Sequence, residues 1–106
     1  MKMLFTLCLM ILFTGYAVDW EAVEVYKDKR CNTAIAGDLD GDKSAEIIYC
    51  ANKTIFLSSA DGKKKRVLRE KEYVIHSAMA DLDGDGDLDY IGGLSKVIWL
   101  ECPDDI

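Results

Sequence analysis

The sequence predicts an all-β fold made of two four-stranded antiparallel repeats. Three observations carry this. GDLDGDKSAEII (37–48) aligns with ADLDGDGDLDYI (80–91) at an offset of 43 residues, and the same offset lays NKTIFLS (52–58) on SKVIWLE (95–101). Short apolar runs, rich in β-branched and aromatic residues, alternate with Asp-, Gly- and Asn-containing turns. No segment has the periodicity of an amphipathic helix, and the sole proline, Pro103, follows the last apolar run. Four strands on a period near 43 suit stacked or radial units, and among these the blades of a β-propeller.

The first residues stand apart from this pattern. In MKMLFTLCLMILFTGYA (1–17) one lysine precedes an apolar run from Met3 to Phe13, and Gly15 and Ala17 put small residues where a leader is cleaved. That is the layout of a secretory signal peptide, and the run is short for a membrane span, which needs ~20 apolar residues. Too little apolar sequence precedes Cys8 for a lipoprotein anchor. The expectation is a signal peptide over 1–17 and an exported chain, secreted, extracellular or periplasmic, with no stable membrane span after cleavage. Residues 18–106 then hold two repeats, about 24–66 and 67–106, the second incomplete.

Within each repeat the elements follow in order. TAIAG (33–37) and HSAMA (76–80) read as first strands, and an acidic loop follows each. AEIIYCA (45–51) and LDYIGG (88–93) read as second strands. TIFLSS (54–59) and KVIWLE (96–101) alternate apolar with polar residues over part of their length, as third strands do. Asp61-Gly62 signals a tight turn into a fourth strand, KKRVLRE (64–70). Moved back by 43, that strand falls on EAVEVYK (21–27). The order is therefore strand four, one whole repeat, then strands one to three. A propeller ring usually needs about four to eight blades. The chain is read as a fragment of a larger propeller that needs further blades in cis; several copies assembling into a ring is the alternative.

The acidic loops carry the chemistry. DLDGDGDLD (81–89) packs five aspartates into nine residues. Carboxylates ~5 Å apart repel by about 1–3 kcal/mol per pair at effective dielectrics of about 80 down to 20, so a solvated, splayed loop or a bound cation must offset the strain. In the pattern Asp-x-Asp-x-Asp-Gly-x-x-Asp, Asp81, Asp83, Asp85 and Asp89 supply carboxylates at positions 1, 3, 5 and 9, and Asp87 can add its backbone carbonyl at position 7. Gly84 and Gly86 permit the tight coil. Loop one places Asp38, Asp40, Asp42, Ser44 and Glu46 at the matching positions, with Lys43 where loop two has Gly86. Hard oxygen ligands in this number suit Ca²⁺ better than Mg²⁺, which keeps stricter octahedral geometry. The lysine adds a positive charge and a stiffer backbone, so loop one is expected to bind more weakly. An EF-hand is excluded: its position 12 is a bidentate acid, and here it is Tyr49 or Gly92 between strand-like flanks.

On these residues the chain resembles the FG-GAP and VCBS repeat families, which include the integrin α-subunit propeller. The resemblance covers roughly residues 24–106 and is closest at DLDGDGDLDYIGG. The FG-GAP signature itself is reduced to Tyr90-Ile91-Gly92-Gly93. The resemblance implies a β-propeller, calcium in the loop joining the first two strands of each blade, an exported or cell-surface setting, and the residues named above as ligands. Lys43, Glu46 and the blade count depart from the pattern.

Other features narrow the function. Nineteen acids against thirteen Lys and Arg give a net charge of −6, which attracts neither nucleic acid nor anionic membrane. His76, the single histidine, reads as a strand residue, and no nucleophile constellation can be built around it; the expectation is no enzyme. Lys63–Arg66 reads as a solvated hairpin, and Trp20, Tyr26, Tyr90 and Trp99 as strand and core aromatics rather than a sugar-stacking face. Asn52-Lys53-Thr54 fits a glycosylation acceptor. Beyond the leader, Cys31, Cys50 and Cys102 allow one disulfide in any of three pairings, or serve as small buried apolar residues. The expected function is a calcium-binding module for adhesion, scaffolding or ligand binding, its protein or glycan ligand unidentified. The alternatives are the non-catalytic propeller part of a secreted polysaccharide-acting enzyme and a self-assembling lectin-like ring.

Overall fold

The computed structural model describes residues 19–28 and 30–102. The expected signal peptide, residues 1–17, lies outside the described residues. The described residues contain strands and turns and no helix: β1 (Cys31–Gly37), β2 (Glu46–Ala51), β3 (Thr54–Ser59), β4 (Lys65–Glu70), β5 (His76–Ala80), β6 (Asp89–Gly93) and β7 (Val97–Leu100). They form two antiparallel sheets, β1-β2-β3-β4 and β5-β6-β7. The all-β class and the acidic loops between first and second strands stand as read from the sequence. The sheets are not closed into a ring.

Turn chemistry fixes the first sheet. Asn52 and Lys53 both take positive φ, 50° and 60°, which gives the two-residue hairpin a twist matching its strands. Gly62 takes φ 76° in the β3–β4 turn, where the Asp61 carboxylate accepts from the Ser59 hydroxyl at 2.7 Å and the Lys63 amide at 3.0 Å.

The sheets pack face to face around one core. Ile48, Cys50, Ile55 and Leu57 of the first sheet meet Val74, Tyr90 and Cys102 of the second unit, with Leu39 beside them. Fully burying an aliphatic side chain of this size contributes about 1.5–3 kcal/mol. β1 lies against β5 so closely that a Cβ on Gly37 would stand 2.7 Å from Met79 Sδ. Thr33 Oγ1 donates to Ser77 Oγ at 3.2 Å, and Ser77 Oγ shares a 2.9 Å bond with Tyr90 Oη. Glu72, in the link between the sheets, pairs with Arg69 at 2.8 Å and with Lys96 at 3.1 Å. Arg69 first, then Lys96, holds the Glu72 carboxyl below the usual range.

Two expectations need correction, and one open alternative is decided. Residues 21–27 are not a strand, although they align with β4. Among the described residues no strand lies beside them, and a lone segment cannot satisfy a ladder. They cross the far face of the first sheet instead, with the Tyr26 ring 5.0 Å from Tyr49 and 5.9 Å from Phe56. This cover leaves Tyr49 Oη and Asn32 Nδ2 buried without hydrogen-bond partners.

The second correction concerns register. Cys50 pairs with Ile55, but its repeat equivalent Gly93 pairs with Val97, not with Ile98. Leu94-Ser95-Lys96 lack the positive φ that closes the hairpin at Asn52-Lys53, so the connection is one residue shorter between these pairs. A one-residue slip turns every side chain to the other face. Ile98 and Leu100 therefore pack toward the core, and Val97 and Trp99 stand on the open face, 78% and 50% exposed.

The cysteines decide between the two alternatives: no disulfide joins Cys31, Cys50 and Cys102 to one another, and the buried apolar reading holds for Cys50 and Cys102 while Cys31 is exposed. Cys50 and Cys102 are buried, and their thiols donate to the Glu72 carbonyl at 3.6 Å and the Leu39 carbonyl at 3.7 Å.

Candidate metal centre

Each acidic loop is a coil of side-chain-to-backbone bonds, and the two coils match position by position. Asp38 accepts from the amides of Gly41 and Lys43, both at 2.8 Å. Asp81 accepts from Gly84 at 2.8 Å, Asp85 at 3.2 Å and Gly86 at 2.9 Å. Asp40 and Asp83 each accept from the amide two residues on, at 3.1 and 3.2 Å. Asp42 and Asp85 do the same, at 2.8 and 2.9 Å. Position 9 closes the coil: Glu46 accepts from the Leu39 amide at 2.8 Å and Asp89 from the Leu82 amide at 3.0 Å. Aspartate suits this role because its short carboxylate reaches its neighbours' backbone without leaving the loop.

Coiling brings the carboxylates together. In loop one, oxygens of Asp38, Asp40, Asp42 and Glu46 lie within 4.8 Å of one another. In loop two the acids form two triads within the same limit, Asp81-Asp83-Asp89 and Asp83-Asp85-Glu101, with Asp83 in both. These are oxygen-only sets of the kind hard divalent cations take. The Asp87 carboxyl falls outside the sets, and at position 7 only its backbone carbonyl was expected; Ser44, at position 7 of loop one, donates its amide to the Asp42 carboxylate at 2.8 Å. His76 is an exposed β5 residue outside the sets.

Glu101 was not legible in the loop motif. It comes from the far end of the β6–β7 hairpin, where Tyr90 pairs with Leu100 and so places Glu101 beside Asp89. The signal was the hairpin register, not the Asp spacing.

The electrostatics record the crowding. At Asp40 the Asp42 amide pulls the pKa down, but desolvation and the Asp42 carboxyl outweigh it and the net shift is upward. Asp85 behaves alike: the Asp87 amide lowers it, and desolvation with the Asp83 and Asp81 charges raises it further. Asp83 is raised by desolvation and by its contact with Glu101. Desolvation raises Glu46 most, and Asp40, Asp42 and Asp38 add to it. Asp89 goes the other way. The Cys102 amide, at 3.0 Å, lowers it most, and the Leu82 amide and Trp99 side chain assist against its burial. Burial pushes the Cys102 thiol up to about 11, with Asp87, Asp89, Asp85 and Asp40 contributing. The upward shifts come from desolvation and from neighbouring carboxyls crowded into each loop.

No protein-family model matches the chain, and no curated protein or solved structure matches it either.

Proposed function

We propose that this chain is an exported calcium-binding segment of β-propeller blade repeats, related to the FG-GAP and VCBS type, that acts as a binding or scaffolding module. The observation that carries the reading is the recurrence, 43 residues apart, of one loop skeleton that gathers carboxylates between the first and second strands of a sheet. A solvated acidic turn accounts for one such loop; two in register, each with carboxylate oxygens drawn within 4.8 Å, favour a cation in each. The oxygen-only donor sets favour Ca²⁺. Calcium would be structural: it would neutralise the loops and fix the two hairpins against each other, leaving the sheet faces and strand edges to engage a ligand.

Asp85→Ala tests this. In calcium the variant should melt several degrees below the parent, since ~1 kcal/mol is worth about 4–8 °C in a domain of this size. In chelator the variant should lose little, only the exposed 2.9 Å bond from the Asp87 amide to the Asp85 carboxylate. Equal losses in both conditions would mean that Asp85 serves the fold and not a cation.

A further inference from the structure

The two sheets differ in complementary ways. The first has four strands and a far face roofed by residues 23–26, with Val23 and Tyr26 lining a groove against Ile47 and Tyr49. The second has three strands, and among the described residues nothing pairs with the outer edge of β7. That edge, Val-Ile-Trp-Leu, carries none of the charges that protect an exposed edge, whereas β4, the other outer edge, reads Lys-Arg-Val-Leu-Arg-Glu. The open face beside it presents Val97 and Trp99, with Leu94 also half-exposed. The strand position beside β7, empty among the described residues, is the one to which residues 22–27 correspond, and those residues belong to no sheet.

We propose that the chain self-associates head to tail. β7 of one copy takes residues 22–27 of a second copy as its fourth strand, and the open face of the three-stranded sheet closes over the aromatic face of that copy's four-stranded sheet. The register follows from the complete unit. There Ile55 pairs with Arg69 and Leu57 with Arg66. Val97 and Trp99 hold the places of Ile55 and Leu57, while Tyr26 and Val23 are the repeat equivalents of Arg69 and Arg66. Val97 thus comes opposite Tyr26, and Trp99 opposite Val23. With the irregularity of β4 at Leu68 repeated at Val25, all four side chains share one face; Tyr26 already packs its ring on Tyr49, and Val23 lines the same groove. The segment need not leave its seat; it gains a ladder on an edge that now has none. The packing also repeats one the chain already makes, in which one face of the first sheet is covered by the second. A heterologous contact of this kind closes as a ring or grows as a filament.

This inference rests on reading the two sheets as successive blades, and not on cation binding. The test is the molar mass of the purified, processed chain by light scattering over a range of concentrations in calcium, beside Val97→Lys. Val97 is largely exposed, so the lysine leaves the fold intact, as far-UV circular dichroism will check. The parent should be a multiple of the monomer and Val97→Lys a monomer. As a second measurement, Val23→Cys and Trp99→Cys, each on a Cys31→Ser background, should form a disulfide when mixed and none when oxidised separately. A parent that binds calcium yet stays monomeric at every concentration overturns self-association and leaves the calcium reading standing. Assembly indifferent to Val97→Lys, or Trp99→Cys linking to itself, overturns the head-to-tail geometry in favour of another contact, such as two β7 edges paired.

Discussion

Loop one and loop two share a skeleton and differ in what surrounds it. In both, the residue at position 1 gathers the amides of positions 4 and 6, and positions 3 and 5 each bind the amide two residues on. The differences sit at positions 6 and 9. Loop one forces Lys43 to φ 71°, while Gly86 takes φ 96° in loop two. Loop one ends on Glu46, part-exposed and held by one backbone amide; loop two ends on Asp89, fully buried and held by two. The lesson is a division of labour. Odd-numbered aspartates shape the coil, and the residue that enters the following strand decides how firmly the coil is tied to the core.

The largest consequence is for stability without metal. Asp89→Ala strands the buried Cys102 amide and the part-buried Leu82 amide; an unsatisfied buried donor costs about 1–3 kcal/mol, so the loss should be about 2–4 kcal/mol. Glu46→Ala frees only the part-buried Leu39 amide and should cost about 1 kcal/mol. Urea denaturation of both variants in chelator measures the gap. Equal losses would erase the distinction between a tied loop and a free one.

The next difference is the backbone at position 6. A residue with a Cβ in the left-handed region is strained by roughly 1–2 kcal/mol, part of which glycine returns in unfolded-state entropy. Lys43→Gly should therefore raise stability in chelator by about 0.5–1 kcal/mol. It also removes a positive charge beside three aspartates, so calorimetric titration should show tighter Ca²⁺ binding at loop one. Gly86→Lys should weaken loop two. If both variants leave the titration unchanged, position 6 does not set the difference in affinity.

Much of this was legible in the sequence, and the reason is local. Asp-x-Asp-x-Asp-Gly fixes its own coil through contacts within nine residues, so the loops and the hairpins around them could be read directly. The strand bounds moved by only a residue or two: the first strand starts at Cys31 rather than Thr33, and the last ends at Leu100. What failed depended on distant partners. Glu101 reaches the site through hairpin register. The slip that exposes Trp99 arises in a short connection whose length mattered more than its residues. Residues 21–27 have strand-like sequence but form a strand only where another strand accepts them. The cysteine count left a pairing and a buried apolar role equally open, and only the packing places Cys50 and Cys102 in the core.

The smallest effect, and the most specific, is in pH dependence. Asp89 and Glu46 occupy one position in the repeat and shift in opposite directions. Asp89, bound first by the Cys102 amide, lies below its unfolded value of about 3.9. Its stabilisation is thus complete above about pH 4 and is lost as pH falls through the lower folded value. Glu46, raised chiefly by desolvation, lies above its unfolded value of about 4.3. Its ionised form destabilises the fold at neutral pH, and acid relieves that penalty as pH falls through the raised folded value toward about 4.3. In chelator, then, Glu46→Gln should flatten the part of the stability curve above about pH 4, and Asp89→Asn should flatten the part below it. Urea midpoints from pH 7 to pH 3 separate the two, because the variants act on different limbs of one curve. If both flatten the same limb, the two acids share an environment, and position 9 does not distinguish the loops.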